Sequence, residues 1–418
     1  MEYRMRILLI NHYAGSIYHG MEFRPYYFAR EWVKMGHEVV IVAASYSHLR
    51  QKNVAINAAI LEENIDGIKY IWLKTPEYSG NGVGRIKNMA TFIYKLYKFL
   101  PQITAGFKPD AVIASSTYPL DSYPANWIAK KHGAKFVFEL HDLWPMSPMV
   151  LGHMSKYHPF IWIMQRGEDY WCRNADIVIS LLPEAYKHLV TRGMAMEKYH
   201  VVSNGVCPDE WNPENCTIEL SHPHNDILKD LKKENKIIVG YVGGHGISNN
   251  LDMLIDSAAR LSNNSKLHFV LVGNGQEKAR LEEKCRCLNL PNLVFLPSVS
   301  KREIPVLLKE MDILICTIKD SPLYKYGMSL NKIYDYMMAG KPILWGSNVS
   351  NNLVEDANCG FTTPSDDIDA FCNKLYEMSL MSVEQLSELG MNGKKYIQEN
   401  CAYPHLALKF MKELEAIR

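Results

Sequence analysis

The chain has 418 residues, which is enough for two domains of ordinary size, each with its own hydrophobic core. With 47% hydrophobic and 22% charged residues it has the composition of a folded globular protein, and its formal net charge of +1 disfavours broad nucleic-acid binding. Nine cysteines without metal-type spacing, and no apolar run long enough for a signal peptide or a bilayer span, predict a cytoplasmic protein with reduced thiols.

In the first half of the chain, short apolar runs alternate with helical patterns. The predicted strands are Arg6–Asn11, Glu38–Ala43, Ile68–Leu73, Asp110–Ser115, Lys135–Leu140, Asp176–Leu181 and His200–Ser203. The predicted helices are Glu22–Met35, Arg85–Leu100, Leu120–Lys131 and Pro159–Arg173. This alternation predicts an α/β domain whose parallel sheet is covered on both faces.

Polar residues follow two of these strands, at the sheet edge where ligands bind in such folds. Gly15 and Ser16 lie in the turn after the first strand. Arg24, one turn into the next helix, adds positive charge there or is a solvated helix residue. His141 follows the fifth strand and is suited to hydrogen-bonding chemistry, while Asp142 orients it or caps the next segment. A packed or capping histidine is the alternative.

The pattern breaks after the seventh strand, where prolines and charged residues predict an inter-domain linker over 206–235. The predicted strands of a second α/β domain are Lys236–Val242, Lys266–Val272, Leu293–Leu296, Met311–Cys316 and Pro342–Trp345. Its predicted helices are Leu251–Leu261, Gln276–Leu288, Lys301–Lys309 and Lys332–Ala339, followed by helices from Ile368 and Val383. The predicted domains are thus 1–205 and 236–400, with a helix over 401–418 expected to pack back on the first.

Glycine-rich turns follow two strands of the second domain. Gly243, Gly244 and Gly246 lie in the first turn, and Ser248 or Asn249 is expected to cap the next helix. Residues 273–275, Gly-Asn-Gly, form the second turn. Glycines let backbone amides approach a phosphate, although tight turns also use them for backbone reasons alone. Neither spacing is that of a Walker or dinucleotide motif, which disfavours NTP hydrolysis and NAD chemistry.

The most informative segment is 326–342, which predicts a loop and then a helix capped by Ser329 or Asn331 and stopped at Gly340. Lys332 lies in the first turn, where the helix dipole disfavours a cation by about 0.3–1 kcal/mol. A phosphate shared between the amine and the helix amides explains this position. Asp335 lies on the same face and is suited to bind ribose hydroxyls. The alternative is an ordinary surface pair of opposite charge.

Together these motifs resemble the retaining, GT-B-fold glycosyltransferases that build bacterial polysaccharides from nucleotide sugars, of the family 4-like type. The motifs that carry the resemblance are the Gly15 loop, Lys34–Val39, Glu139–Pro145, Val202–Val206, Leu271–Gly275 and Ser329–Pro342. They cover essentially the whole chain. The pieces at residues 141–145 and 329–332 are most similar to the branch that makes O-antigen, capsule or exopolysaccharide repeat units.

The resemblance implies two Rossmann-like, doubly wound domains that face a central cleft. The C-terminal domain would bind a nucleotide diphosphate sugar, expected to be UDP-linked, with Asp335 on the ribose and Lys332 on the diphosphate. The other donor-binding residues it implies are Gly243, Gly244, Gly246, Gly273, Asn274, Gly275, Val299, Gly327, Met328, Ser329 and Asn331. The N-terminal domain would bind a glycan or lipid-diphosphate-linked acceptor, and the residues implied there are Gly15, Ser16, Arg24 and Asp142.

The implied reaction is a hexosyl or N-acetylhexosaminyl transfer that retains anomeric configuration, with His141, Lys332 and Asp335 as catalytic residues. The acceptor hydroxyl passes its proton to the leaving phosphate, and electrostatic stabilisation of the diphosphate is the main catalytic contribution. No cofactor or metal is expected, because the acidic run Asp366–Asp369 follows Pro364 at a predicted helix start and is better explained by capping.

Two departures from the family pattern concern charge. Many relatives have a glutamate eight residues before the residue that matches Asp335, and this chain has Gly327 there. Relatives also often use an arginine and a lysine where this chain has Gly244 and Asn250. Neutralisation of the diphosphate is therefore expected to depend on Lys332, with Lys325 or Arg24 as candidate helpers.

The predicted helix Arg85–Leu100 is basic and aromatic, which favours contact with an anionic leaflet on the inner face of the cytoplasmic membrane. An ordinary amphipathic helix on the sheet is the alternative, and Pro159–Met164 has the same ambiguity. Two other functions fit this fold. A nucleotide-sugar 2-epimerase would need further carboxylates around the sugar, of which the first domain offers no obvious set, and a non-catalytic nucleotide-sugar-binding protein would bind donor without turnover.

Overall fold

The computed structural model describes residues 4–80, 82–212, 214 and 218–417, so the predicted domain limits at 1 and 418 and part of the predicted linker 206–235 lie outside the described residues. The chain divides into two compact units. The first contains the described residues up to Ser203, the segment Tyr326–Ser329 and the residues from Tyr403 onward. The second contains the described parts of Asn204–Lys325 and Leu330–Ala402.

The first unit is built on a sheet of eight strands. These are β1 (Arg6–Ile10), β2 (Glu38–Ala44), β3 (Ile60–Ile65), β4 (Ile68–Leu73), β5 (Ala111–Ala114), β6 (Lys135–Leu140), β7 (Ile177–Ser180) and β8 (Tyr199–Val201). Their order is β3-β4-β2-β1-β5-β6-β7-β8, and all neighbours are parallel except β3 and β4. The sequence did not predict β3, because its central residues are exposed and mostly polar and form no apolar run.

Helices cover this sheet. They are α1 (Arg24–Lys34), α2 (Val83–Lys98), α3 (Leu100–Ile103), α4 (Ser122–His132), α5 (Met146–Val150), α6 (Pro159–Asn174) and α7 (Tyr186–Leu189). The prediction of one helix over Arg85–Leu100 is wrong in its end, because α2 stops at Lys98 and Pro101 lies in the first turn of α3, where it cannot continue the α2 hydrogen bonds. Arg24 is the first residue of α1 rather than one turn inside it.

The second unit has a parallel sheet of six strands. These are β9 (Ile237–Val242), β10 (Leu267–Val272), β11 (Leu293–Leu296), β12 (Ile313–Thr317), β13 (Ile343–Gly346) and β14 (Gly360–Thr363), in the order β11-β10-β9-β12-β13-β14. Its helices are α8 (His224–Lys233), α9 (Leu251–Arg260), α10 (Lys278–Cys287), α11 (Ile304–Lys309), α12 (Asn331–Met338), α13 (Leu353–Asp356), α14 (Ile368–Ser379) and α15 (Val383–Asn400). Strand β14, Gly-Phe-Thr-Thr at the sheet edge, is too short and polar to be predicted.

The last helix, α16 (Tyr403–Ala416), belongs to the first unit and packs on α1. The ring of Phe410 lies 5.5 Å from that of Phe28 and 5.1 Å from that of Trp32, and all three side chains are buried. The Trp32 indole nitrogen donates to the Ala407 carbonyl at 3.3 Å. Within the described residues, none of the helices combines the length and apolar character needed to cross a bilayer.

We expect Phe410→Ala to lower the free energy of unfolding by about 3–5 kcal/mol, because it leaves a cavity against two buried rings. Urea titration at neutral pH measures this change. The matched control is Leu408→Ala on the exposed face of the same helix, where Leu408 is 47% exposed and the change should stay within about 0.5 kcal/mol. Equal losses for the two variants would contradict the assigned packing of α16.

Candidate functional site

Two glycine-rich turns meet in the second unit, after β9 and β10, which pair in parallel and end at the same sheet edge. The amide of His245 donates to the Asn274 carbonyl at 2.8 Å. A Cβ atom added at Gly273 would lie 1.9 Å from the Gly243 carbonyl oxygen, and one at Gly275 would lie 2.3 Å from that of His245. The turns therefore pack backbone against backbone, which excludes side chains at both positions of the second turn.

Lys332 lies beside the first of these turns. Its Nζ donates to the Tyr241 hydroxyl at 2.8 Å and to Asn249 Oδ1 at 2.6 Å, and it lies 4.6 Å from the centroid of the Tyr241 ring. Burial lowers the pKa of Lys332 below its ordinary value, and Cys316 partly opposes this effect. Both hydrogen-bond acceptors are neutral, so the ammonium charge remains to attract an anion.

The hydroxyl and amide groups that hold Lys332 also fix the turn. The Tyr241 hydroxyl donates to the Gly244 carbonyl at 2.7 Å, and Asn249 Nδ2 donates to the same oxygen at 3.0 Å. Gly246 precedes a short 3-10 turn, Ile247–Asn249. The expected cap of α9 by Ser248 or Asn249 is wrong, because the N-cap residue is Asn250 and the Asn249 side chain is engaged with the turn and with Lys332.

The expected cap of α12 is also wrong. The N-cap residue is Leu330, which makes no side-chain capping bond, and Asn331 is the exposed first residue of the helix. Ser329 belongs to the first unit with Gly327 and Met328, whereas the other predicted donor residues belong to the second. Gly327 has a φ of 97°, a conformation that favours glycine. The predicted donor residues are thus divided between the two units.

Asp335 lies one turn after Lys332 in α12. Lys301 Nζ lies 2.7 Å and 2.8 Å from its two carboxylate oxygens, and the two side chains are 15% and 22% exposed. Val299 is half-buried in the loop that joins β11 to the 3-10 turn at Lys301. The ion pair orients the carboxylate, whose remaining lone pairs can accept hydrogen bonds from hydroxyl groups.

His245 is the fully buried centre of the first glycine turn. Neither of its ring nitrogens has a hydrogen-bond partner among the described residues. Burial, together with the charges of Lys278 and Lys332, lowers the pKa of His245 to about 4, so the ring is neutral at physiological pH. Lys278 Nζ binds the Gly273 carbonyl at 2.8 Å, which brings a second cation to the turns.

In the first unit, His141 follows β6 and belongs to a buried hydrogen-bond network. Its Nε2 lies 3.0 Å from Ser115 Oγ and 3.3 Å from Glu139 Oε2, and the Ser115 hydroxyl donates to that carboxylate oxygen at 2.6 Å. Burial would raise the pKa of Glu139, but Arg24, His141 and Ser115 outweigh it and lower the pKa to about 2. Glu139 is therefore an anion that orients the imidazole.

Arg24 is the counter-ion of this carboxylate. Its Nε donates to Glu139 Oε1 at 2.9 Å, and its other nitrogens donate to the carbonyls of Val202 at 2.8 Å and Ser203 at 2.5 Å. The side chain is only 3% exposed, so the alternative of a solvated helix residue is wrong. Because this charge is already compensated by Glu139, we do not retain Arg24 as a helper in diphosphate binding.

The other predicted acceptor-side residues shape loops. A Cβ atom at Gly15 would lie 2.1 Å from the Met21 carbonyl oxygen, and Ser16 Oγ bonds His19 Nδ1 at 2.8 Å. Asp142 Oδ1 accepts from the Leu143 amide at 2.8 Å and from the Ser147 hydroxyl at 2.6 Å, and burial raises the pKa of Asp142. Asp142 was expected either to orient His141 or to cap the next segment. These hydrogen bonds are those of a residue that holds the following segment.

The acidic run Asp366–Asp369 serves local structure. Asp367 accepts from the Ala370 amide as the N-cap of α14, and Asp366 Oδ1 accepts from Asn250 Nδ2 at 2.6 Å. Asp369 pairs with Arg260. The part of the chain that the structure describes contains no group of three or more His, Cys, Asp or Glu side chains suited to hold a metal ion.

Sequence reasoning missed the residues that hold the predicted ones in place. Tyr241 and Asn249 position Lys332, Lys301 positions Asp335, and Ser115 positions His141. Each lies close to or beyond the carboxyl end of a strand, so its location at the functional sheet edge was readable. The side chain that each one contacts was not readable, because these hydrogen bonds join residues 26 to 91 positions apart.

Two family descriptions match the chain, one on each half. Residues 19–205 match "Glycosyl transferase 4-like domain", and residues 236–379 match "Glycosyl transferases group 1". WcaI of Escherichia coli K12, named as a colanic acid biosynthesis glycosyl transferase, is 26% identical over 291 residues, which are 68% of this chain and 69% of that protein. TuaH of Bacillus subtilis 168, named as a teichuronic acid biosynthesis glycosyltransferase, is 28% identical over 187 residues, which are 45% of this chain and 42% of that protein.

A solved structure is similar over nearly the whole length. HepE of Anabaena, in complex with UDP and glucose, has a TM-score of 0.69 at 15% identity, with 99% of this chain and 100% of that chain covered. This likeness concerns the fold, and it agrees with the predicted GT-B arrangement of two parallel-sheet domains.

Acid should destabilise the wild-type chain more than the His245→Asn variant. The folded pKa of His245 is about 4 and the ordinary value is 6.5, so between these pH values the unfolded chain binds more protons and stability falls as pH falls. The difference between the two proteins should reach about 3 kcal/mol near pH 4. Urea titrations at several pH values measure it, and curves that stay parallel from pH 7 to pH 4 would contradict a neutral buried imidazole.

Proposed function

Since the chain belongs to the glycosyltransferases of GT-B fold, we propose that it transfers a sugar from a nucleotide diphosphate sugar to an acceptor of bacterial surface polysaccharide assembly. The expected donor is UDP-linked, the acceptor is a glycan or a lipid-linked glycan, and the anomeric configuration is retained. The names of WcaI and TuaH and the UDP complex of HepE support this proposal.

The observation that carries the proposal is the ammonium of Lys332 beside two glycine turns. A diphosphate here would meet a cation whose protein acceptors are the neutral oxygens of Tyr241 and Asn249. Asp335, one turn further along α12, would accept hydrogen bonds from the ribose hydroxyls while Lys301 holds its carboxylate in place. The base would lie by the Gly273–Gly275 turn and Val299. This arrangement stabilises the departing diphosphate, which is the main contribution to rate in the proposed reaction.

In this proposal His141 acts on the donor sugar. With Glu139 ionised and Ser115 donating to it, the imidazole carries its proton on Nε2 and donates toward these two groups. Nδ1 is then the acceptor nitrogen, available for a sugar hydroxyl. The acceptor hydroxyl attacks the anomeric carbon on the face of the leaving group and passes its proton to the diphosphate oxygen, so the step needs no protein nucleophile.

The departures from the family pattern affect charge in this site. No side chain is present at Gly327 to act on the sugar, and Gly244 and Asn250 bring no charge to the first turn. Lys332 would therefore carry most of the diphosphate charge. Lys278, bonded to the Gly273 carbonyl at 2.8 Å, replaces Arg24 as the second nearby cation, because Arg24 is compensated by Glu139.

Peripheral membrane contact is part of the proposal. Helix α2 exposes Val83 at 81% and Tyr94 at 60%, and Lys87 and Lys98 are also exposed on it. Apolar, aromatic and basic side chains on one helix suit the boundary of an anionic leaflet. Such contact would bring the first unit to acceptors that are anchored in lipid.

Lys332→Ala should weaken UDP binding about 10- to 100-fold, because a hydrogen bond to a charged group contributes about 1.5–3 kcal/mol. Uridine, which lacks the diphosphate, should bind equally to both proteins. Asp335→Ala should instead weaken UDP and uridine alike. Isothermal titration calorimetry measures all of these affinities, and Lys309→Ala, on an exposed residue of α11, is the control. Unchanged UDP affinity in Lys332→Ala would overturn the diphosphate assignment.

His141→Ala should lower the rate of donor turnover on the order of 10²-fold while leaving UDP affinity unchanged, because the hydrogen bond acts at the sugar rather than the nucleotide. Release of UDP from a panel of UDP-sugars measures the rate, and NMR of the product reports the anomer. The control is His405→Ala, on an exposed residue of α16. Donor binding without turnover by the wild type would indicate a binding protein, and conversion of the donor to its C2 epimer would indicate an epimerase.

A further inference from the structure

The buried imidazole of His245 is fixed by its backbone but not by its ring. In the first glycine turn its amide donates to the Asn274 carbonyl at 2.8 Å, and its carbonyl accepts from the Glu277 amide at 3.0 Å. Neither ring nitrogen has a hydrogen-bond partner among the described residues. Leaving buried polar atoms unpaired costs stability, so a ring of this kind in a folded protein points to a role beyond packing.

The ring packs against two aromatic side chains and the second glycine turn. Its centroid lies 5.8 Å from that of Phe295 in β11 and 6.0 Å from that of Tyr241 in β9. A Cβ atom added at Gly273 would lie 3.0 Å from His245 Nε2, so the second turn lies close against this nitrogen. Surroundings of this kind favour the neutral imidazole, because a charged ring would be buried without compensation.

Two ammonium groups act on this ring. Lys278 of α10 lies at the second turn, where its Nζ donates to the Gly273 carbonyl at 2.8 Å. Lys332 of α12 lies at the first turn, where a Cβ atom added at Gly243 would lie 3.2 Å from its Nζ. Burial and these two charges together lower the pKa of His245 to about 4. The position of the proton on this ring therefore depends on what happens to the charge beside it.

The other titratable groups near these turns leave the cations dominant. Burial raises the pKa of the Tyr241 hydroxyl well above its ordinary value, so this group is neutral. The Glu277 carboxylate accepts from Arg280 Nε at 2.7 Å, and the exposed Glu282 carboxylate lies 4.0 Å from Lys278 Nζ. An anion that binds at the turns would thus change the sign of the field at the ring.

We propose that His245 takes up a proton from solvent when the diphosphate of the donor binds, so that the second unit binds its donor more tightly as the pH falls. The nitrogen that carries the lone pair in the neutral ring accepts this proton. The inference rests on the proposed function, because that function brings the diphosphate to Lys332. The negative charge of the diphosphate would offset the ammonium charges and stabilise the imidazolium. This proton is separate from the one that the acceptor hydroxyl passes to the leaving phosphate.

Donor affinity rises as the pH falls because the complex would bind more protons than the free protein. In the free protein the pKa of His245 is about 4, and we expect the bound diphosphate to return it toward the ordinary value of 6.5. With a full return, the contribution of His245 would increase the affinity about tenfold between pH 7.5 and pH 5.5.

Isothermal titration calorimetry of the full chain with UDP at these two pH values tests the proposal. The phosphate of UDP also titrates in this range, so the readout is the ratio of wild-type affinity to His245→Asn affinity. This ratio should increase about tenfold at the lower pH, whereas the ratio for uridine, which lacks the diphosphate, should stay constant. The matched control is His268→Asn, on a half-buried histidine of β10 whose pKa is also lowered by burial, and it should behave like the wild type.

A second variant tests the charge effect without any ligand. In Lys332→Met one of the two ammonium groups is gone, so the His245 ring should titrate at a higher pH than in the wild type. NMR of the ring protons measures this titration, and circular dichroism at both pH values reports an intact fold. An unchanged titration in Lys332→Met would overturn the proposal.

The UDP titrations separate the two levels of inference. UDP binding with a constant ratio between wild type and His245→Asn, or an equal change of the ratio for uridine, would overturn the proton uptake alone. Absence of UDP binding by the wild type and all variants at both pH values would overturn the proposed function and, with it, this inference.

Discussion

The second unit depends on an ammonium group that the fold partly buries without giving it a carboxylate. Removing a cation from water is costly, and among the residues that the structure describes the Tyr241 hydroxyl, the Asn249 amide oxygen and an aromatic face compensate Lys332. The cost is reflected in the lowered pKa of the amine. An anion bound at this position would complete the compensation, because it would supply the negative charge that the hydrogen-bond partners of Lys332 do not provide. The glycine turn allows its approach, because a Cβ atom at Gly243 would lie only 3.2 Å from the Lys332 amine.

In the first unit the buried charge is a carboxylate, Glu139, and it is fully compensated. Glu139 is fully buried, but Arg24, Ser115 and His141 satisfy it, and its pKa falls to about 2. Removing one member of such a pair would leave an uncompensated charge, which is why this network behaves as a rigid support. Its outward member is His141, whose side chain is 11% exposed, whereas the side chains of Arg24 and Glu139 are 3% and 2% exposed. The compensated carboxylate of Glu139 thus positions His141, whereas the ammonium of Lys332 has no carboxylate partner among its hydrogen bonds and is suited to bind an anionic ligand.

The sequence predicted the parts of the fold that leave a local mark. Apolar strands, the glycine turns and the helix that starts near Lys332 were readable, because each follows a periodic or turn pattern within a few residues. Strand β3 was not readable, because its central residues are exposed and mostly polar and form no apolar run. It is a strand because it pairs with β4. The cap of α9 was mispredicted because of another long-range contact. Asn249 has the right chemistry for a cap. Its side chain instead accepts from Lys332, which lies 83 positions later in the chain, and donates to the Gly244 carbonyl.

The packing of α16 has a consequence for how the protein is made. The ring that covers Phe28 and Trp32, Phe410, belongs to a helix that is synthesised much later, since Ala407 of that helix lies 375 positions after Trp32. During synthesis these aromatic side chains therefore stay without their final cover while the whole second unit emerges from the ribosome. Exposed rings of this kind invite non-native association. The first unit can therefore be completed only after the second unit has been synthesised.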